Sequence, residues 1–225
     1  MKEFALILFT FCLQAAIGLM LFSVVSKELT RDKKFKVAAL ASAVLSVVAI
    51  LASLFHLGRP FAFLNSLANL GSSWLSNEAL FAGIFTATAV VYALLLYLKP
   101  AKTVVLRIVG WAGSLVGIVT IAAMAKVYTF TVVPVWQSLN TYVEFYATAV
   151  AVGGLLFLAL SQKELRKEIN GLVGLIILGA VFIQAAVAIH CVIGLSQAGM
   201  AAQSSVEILS GMGMALALKW LLILL

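Results

Sequence analysis

The sequence contains few charged residues. Asp, Glu, Lys and Arg make up 10% of its 225 residues, and hydrophobic residues make up 64%. Soluble domains carry about 25% charged residues. Because a soluble fold of this length cannot hide so much apolar surface from water, the composition excludes a soluble protein. It predicts an integral membrane protein whose apolar surface is shared with lipid.

Cysteine is also scarce. Cys12 and Cys191 lie in separate apolar runs, and the sequence has no CxxC motif. Iron–sulfur clusters and thiolate zinc sites need several cysteines, so this chain cannot hold such a centre by itself. We expect no metal site and no disulfide, and we interpret both cysteines as small packing residues.

The alternating pattern of a β-barrel is missing as well, because the apolar runs are continuous. The fold class predicted is therefore an all-α integral membrane protein with about seven transmembrane helices. Residues 1–225 are expected to form a single transmembrane helical domain. Its spans are expected near 4–25, 37–57, 78–98, 104–125, 142–161, 170–194 and 206–225. The first run is too long for the apolar region of a signal peptide and is interpreted as a retained span.

The positive charge is concentrated in short loops. The formal net charge is +7, but residues 26–36, 99–107 and 162–168 carry 11 of the 15 lysines and arginines. This distribution is typical of loops that orient helices and argues against nucleic-acid binding. By the positive-inside rule these loops face the cytoplasm, which predicts an N-terminus on the outside.

Two further features concern the packing of the bundle. The predicted outer loop at 58–77 is long and contains Pro60 and Trp74, so we expect it to fold back onto the ends of the helices. Gly113 and Gly117 form a small-xxx-small pair that favours close contact between helices.

Polar residues at the predicted outer face form the main functional hypothesis, since such groups are costly near a membrane interior. His56 ends the second helix, and Glu78 opens the third with Ser76 as its predicted N-cap. The other members are Arg59, Lys126, Tyr128, Trp136 and Glu144. A quinone headgroup needs partners for two oxygens, flat apolar walls and a proton acceptor. Histidine suits the last role because it titrates near neutral pH.

Structural roles remain open for each of these residues. His56 is alternatively a helix-end residue, and Glu78 a partner of the helix dipole. Arg59 and Lys126 are alternatively membrane anchors with extended side chains. Trp74, Trp136 and Tyr128 also suit the aromatic belt at a membrane interface.

Two other functions are weighed. His190 is predicted at a depth similar to that of His56, so the two histidines are candidate ligands of a b-type haem in a quinol–cytochrome subunit. The third hypothesis is a small-solute transporter. It is disfavoured because the sequence shows no inverted repeat and no paired broken helices.

Two motifs resemble those of the membrane anchor subunit of dimethyl sulfoxide reductases. The first is HLGRPFAFLNSLANLGSSWLSNE at 56–78, which resembles a family pattern of His-Leu-Gly-x-Pro, Asn-Ser-Leu and Leu-Ser-x-Glu. The second is AKVYTFTVVPVWQS at 125–138, which resembles Arg/Lys-Val-Tyr followed by Val-Pro-x-Trp. The order and spacing of both motifs agree with the family.

The resemblance implies a subunit that oxidises menaquinol and has no haem or metal of its own. Its implied partners are an iron–sulfur subunit and a molybdopterin subunit, in the cytoplasmic membrane of a prokaryote. It implies quinol-handling roles for His56 and Glu78. By position in the motifs, the quinol-binding residues would be Arg59, Asn65, Ser66, Trp74, Ser76, Lys126 and Tyr128. The family usually has eight helices, so we expect this sequence to be shortened at its C-terminus.

Overall fold

The protein is described by a computed structural model that covers residues 2–30, 33–56, 69–211 and 213–214. Seven α-helices and one 3₁₀ turn, Pro134–Trp136, follow one another in these ranges. The α-helices are α1 Lys2–Thr30, α2 Lys36–His56, α3 Trp74–Leu98, α4 Thr103–Thr129, α5 Leu139–Ser161, α6 Lys167–Ser196 and α7 Met200–Gly211.

The predicted fold class is confirmed, because the described chain is helical and largely apolar. Helices α1 to α6 are long and apolar enough to cross a membrane. The seventh predicted span, 206–225, lies mostly outside the described residues, and α7, with 12 residues, overlaps its beginning. The predicted orientation of the N-terminus stays a prediction.

The start of α3 differs from the prediction. The helix begins at Trp74, so Ser76 lies inside its first turn and the N-cap position falls to Ser73. The predicted capping role of Ser76 is therefore wrong. The turn ahead of the helix explains the difference: Gly71 adopts a positive φ of 83°, and its N–H donates to Asn77 Oδ1 at 2.9 Å. This closure brings Trp74 into the helix.

Helix α1 lies in the middle of the bundle and packs against α2, α4 and α5. Leu13, Ile17 and Met20 on its buried side are no more than 1% exposed. Helix α3 packs between α2 and α4, and α6 packs on α5. Helix α7 contacts α6 and the 3₁₀ turn. The central position of α1 makes its side chains available to sites formed with α4 and α5.

Close helix contacts depend on glycines. The predicted role of Gly113 and Gly117 is confirmed, because a Cβ on Gly117 would lie 2.8 Å from Ile17 of α1, and one on Gly113 would overlap Met20. A second contact was not predicted. A Cβ on Gly153 of α5 would lie 2.5 Å from the Cα of Gly18. Small residues thus let α1 approach both α4 and α5.

Successive long helices run in opposite directions, so the bundle has two ends. We call the end formed by residues 26–30, 33–36, 99–107 and 162–168 the basic end. The opposite end, which carries Trp74, Tyr128, Phe130 and Trp136, we call the aromatic end. The predicted functional residues belong to the aromatic end.

Candidate functional site

The first sequence motif is described in part. Arg59, Asn65 and Ser66 lie outside the described residues. His56 is the last residue of α2, but its side chain is not among the parts of the chain that the structure describes. The described part of the candidate site therefore consists of residues 69–78 of the first motif and of the second motif, 125–138.

Glu78 begins the buried stripe of α3. The stripe continues at helical spacing through Ala82, Phe85 and Ala89, all no more than 1% exposed. Glu78 itself is 7% exposed, and Ser76 is 3% exposed. A carboxylate at the head of an otherwise apolar stripe is costly to bury. Its burial excludes a solvent-exposed helix start, and its functional role stays a prediction.

Lys126 is held over aromatic rings at the end of α4. Its Nζ lies 5.6 Å from the centre of the Trp74 ring and 5.2 Å from that of Phe130. The two rings are themselves 5.9 Å apart. The structure therefore brings Trp74 and Lys126 together in a cation–π cluster, although they are far apart in sequence.

Tyr128 links three helices. Its ring packs edge-on against Trp136, with the ring centres 5.4 Å apart. It also packs at a tilt against Phe145 of α5, with the ring centres 5.3 Å apart. The Tyr128 side chain also interacts with Thr10 of α1 and lies within electrostatic reach of Glu78. Tyr128 thus connects the carboxylate of α3 with the facing sides of α1 and α5.

A cleft of about 480 Å³ lies between α1 and α5, and Tyr128 forms part of its lining. We call it the α1–α5 cleft. Its volume falls within the range of small-molecule sites, roughly 300–1,000 Å³. The lining residues are Ile7, Thr10, Phe11, Gln14, Tyr128, Val135, Trp136, Asn140, Thr141, Glu144 and Phe145. The cleft therefore combines aromatic walls with several polar groups.

The polar wall of this cleft is fixed by hydrogen bonds. Gln184 of α6 is 2% exposed and donates a short hydrogen bond to Glu144. The hydroxyl of Thr141 donates to the carbonyl oxygen of Trp136 at 2.7 Å, which ties the 3₁₀ turn to α5. The carboxylate of Glu144 is therefore oriented by a neutral amide.

Comparison with known proteins identifies the family. The family model described as DMSO reductase anchor subunit (DmsC) matches residues 1–225. The chain belongs to this family. It is 32% identical over 196 residues to the C subunit of anaerobic dimethyl sulfoxide reductase from Haemophilus influenzae, a match that covers 84% of this chain and 69% of that relative.

Two relatives in Escherichia coli K12 match a shorter segment of this anchor-family protein. The C subunit of anaerobic dimethyl sulfoxide reductase is 33% identical over 114 residues, and the anaerobic dimethyl sulfoxide reductase subunit YnfH is 29% identical over 113 residues. Each match covers 50% of this chain and 40% of the relative. No solved structure matches.

The candidate site of this anchor-family protein also contains polar residues that were not predicted from the sequence. Gln14, Gln184, Thr10 and Asn140 were not predicted, although they line or support the cleft. Gln14 is 4% exposed inside a long apolar helix. An amide within an apolar run is a usable signal, since burying it costs free energy unless it finds a partner. The prediction considered polar residues at the helix ends and in the two motifs, and it overlooked amides inside the apolar helices.

The haem hypothesis stays a prediction, because the side chain of His56 lies outside the described residues. His190 is exposed on α6, and α6 packs on α5, α7 and the 3₁₀ turn. Helix α2, which ends at His56, packs against α1, α3 and α5. Two axial ligands must face each other across one haem.

Proposed function

We propose that this chain is the membrane anchor subunit of a molybdenum-dependent anaerobic terminal reductase. In this proposal it binds and oxidises menaquinol at the aromatic end and passes the electrons to an iron–sulfur subunit. The observation that supports it best is the position of Tyr128, which lies within electrostatic reach of the buried Glu78 and lines the α1–α5 cleft. Membership of the anchor family supports the same assignment.

The proposed chemistry is a two-electron oxidation. Menaquinol loses the protons of its two hydroxyl groups and two electrons to become menaquinone. His56 accepts one proton, and Glu78 orients the imidazole or relays that proton. Lys126, Tyr128 and Arg59 bind the headgroup oxygens. The remaining proposed binding residues are Asn65, Ser66, Trp74 and Ser76.

The proposed partners follow from the same chemistry. The reaction needs an electron acceptor near the quinol, and the proposed one is an iron–sulfur subunit. That subunit would pass electrons to a molybdopterin subunit. The proposed location is the cytoplasmic membrane of a prokaryote, with the N-terminus outside and the lipid bilayer around the helices.

Binding of a fluorescent quinol-analogue inhibitor tests the proposal. The protein is purified with its reductase partners as wild type, His56→Ala and His190→Ala. His190→Ala is the matched control, because it removes an exposed imidazole from a different helix. We expect saturable quenching in the wild type and the control, and its loss in His56→Ala. Equal quenching in all three proteins would contradict the assigned site, and no quenching in any of them would contradict quinol binding.

A further inference from the structure

A groove runs along the outside of the bundle between α2 and α3, and it opens toward the basic end. Its volume is about 450 Å³. Ala43 of α2 and Ala93 of α3 are buried at its floor, while Leu40, Val44 and Leu94 on its sides are each about half exposed. Small residues between larger ones leave room for an elongated ligand. We call this feature the α2–α3 groove.

The lining of the groove is almost entirely aliphatic. Nine of its ten lining residues are Ala, Val or Leu, and the tenth is Tyr97. Both helices are long and apolar enough to span a membrane, so the groove lies within the hydrocarbon layer. Such a surface can gain only van der Waals contacts there, because lipid tails are as apolar as leucine. The ligand that suits it is a flexible hydrocarbon chain.

The length of the groove matches one leaflet of a bilayer. Its lining residues lie between 40 and 48 on α2 and between 90 and 98 on α3, a length of about 12 Å at 1.5 Å per residue. One leaflet supplies about half of the roughly 30 Å hydrocarbon layer. A partner helix would be about 10 Å wide and would need the full thickness of the layer. A single acyl chain therefore fits the groove better than a helix does.

A cation lies at the basic end of the groove. Lys36 Nζ is 5.1 Å from the centre of the Tyr97 ring, and Tyr97 lines the groove near its basic end. Lys99 follows directly after the last residue of α3. Basic groups beside a groove between membrane helices attract anionic lipid headgroups. The charge at this point therefore complements a phosphate whose acyl chain lies in the groove.

We propose that the α2–α3 groove binds one anionic phospholipid from the leaflet at the basic end. One acyl chain lies over Ala43 and Ala93, and Lys36 contacts the phosphate beside Tyr97. The lipid covers the line of contact between α2 and α3 and thereby stabilises it. This site is separate from the aromatic end and does not depend on the proposed quinol oxidation.

Retention of lipid by the purified full-length chain tests the site. The chain is reconstituted with equal amounts of phosphatidylcholine and phosphatidylglycerol, extracted in a mild detergent and washed. Native mass spectrometry then counts the bound lipids, and a titration with phosphatidylglycerol gives the affinity. The variants are Lys36→Ala, Lys36→Arg and Val44→Trp. The matched controls are Lys167→Ala and Val105→Trp, which change an exposed lysine at the same end and an exposed valine on helices that do not line the groove.

We expect each wild-type chain to retain one phosphatidylglycerol in preference to phosphatidylcholine. Lys36→Ala should weaken this binding about fivefold, since one lysine near an anionic headgroup contributes about that factor. Lys36→Arg should retain the lipid because the charge is kept. Val44→Trp should abolish retention, because an indole at the side of the groove takes the space of the acyl chain. Both controls should behave as wild type, and equal unfolding temperatures in lipid-free detergent check that every variant is folded.

Other results would overturn the site. Equal losses in Lys36→Ala and Lys167→Ala would indicate a diffuse attraction of anionic lipid to the whole basic end. Unchanged retention in Val44→Trp would show that the lipid binds elsewhere. Equal retention of phosphatidylcholine would contradict the role of the phosphate charge. Loss of the lipid when the chain assembles with its proposed reductase partners would assign the groove to a partner polypeptide.

Discussion

The two ends of the bundle hold their carboxylates in different surroundings. At the basic end, Glu28 forms an ion pair with Arg107, whose side chain is 65% exposed. Glu164 at the same end accepts a hydrogen bond from the backbone N–H of Phe35, with a distance of 3.1 Å between Phe35 N and Glu164 Oε2. At the aromatic end, Glu78 lies within electrostatic reach of Tyr128, and Glu144 accepts a hydrogen bond from Gln184. The described partners of the carboxylates at the basic end are thus a cation and a backbone donor, whereas those at the aromatic end include an amide side chain.

Because of this difference, protonation of a carboxylate has different consequences at the two ends. Protonating Glu28 would remove its attraction to Arg107 and weaken a link between α1 and α4. Protonating Glu144 would leave a carboxyl group that can still hydrogen-bond to the amide of Gln184. The contact between Glu144 and Gln184 at the aromatic end would thus survive protonation of the carboxylate.

The largest expected effect comes from the helix contact on which both ends depend. In Gly153→Ala, the new Cβ would lie 2.5 Å from the Cα of Gly18 and 2.6 Å from the nitrogen of Leu19. Because backbone atoms cannot move aside, we expect α1 and α5 to separate, at a cost of about 3 kcal/mol. Thermal unfolding in detergent measures the loss.

Gly171→Ala on α6 is the matched control, because its Cβ would meet no atom within 4 Å. Alanine is the better helix former by about 1 kcal/mol, so this variant should be as stable as wild type or more so. Similar unfolding of Gly153→Ala and Gly171→Ala would contradict the described α1–α5 contact.

Replacing one carboxylate at each end tests the comparison directly. Glu78→Gln should lower quinol-dependent activity by about 100-fold, because an amide cannot relay a proton. Glu28→Gln should leave that activity nearly unchanged, since Glu28 serves a surface ion pair. The measurement is quinol oxidation by the assembled complex at equal protein content. Equal effects at both ends would break the proposed distinction.

A tyrosine at each end provides a finer test. Tyr128→Phe keeps the ring contacts with Trp136 and Phe145 and removes the hydroxyl group. We expect quinol activity to fall about tenfold, which corresponds to the loss of one hydrogen bond of about 1.4 kcal/mol. Tyr97→Phe is the control, because Tyr97 lies at the basic end. Lys36 Nζ lies 5.1 Å from the centre of the Tyr97 ring. A full rate in Tyr128→Phe would remove its hydroxyl from the mechanism.

The smallest effect is expected for the ion pair of the basic end. Arg107→Ala removes an exposed partner of Glu28, and exposed pairs contribute little because water and salt screen them. We expect no measurable change in either quinol oxidation or the unfolding temperature. A clear fall in the unfolding temperature would show that this pair fastens α1 to α4 more strongly than its exposure suggests.

Much of the architecture could be predicted because each span carries its own signal. Continuous apolar runs of about 20 residues predict membrane helices without knowledge of their neighbours. The start of α3 could not be read in this way. Ser76 and Glu78 resemble a helix-start signal, but the turn around Gly71 and Asn77 places Trp74 inside the helix. The local pattern at Ser76 and Glu78 therefore does not determine where α3 begins. The hydrogen bond between Gly71 and Asn77, six residues apart, determines it.

The sequence by itself determined the membrane class, the first six spans and the polar motifs, because these depend on composition and on short spacings. Only the tertiary structure decided which polar groups meet. Glu144 and Gln184 lie 40 residues apart on different helices, and Tyr128 of α4 interacts with Thr10 of α1 and Phe145 of α5. Such pairings follow from how close α1, α4 and α5 approach one another. Small residues such as Gly18 and Gly153 permit that approach, and side chains on separate helices can then line one cleft.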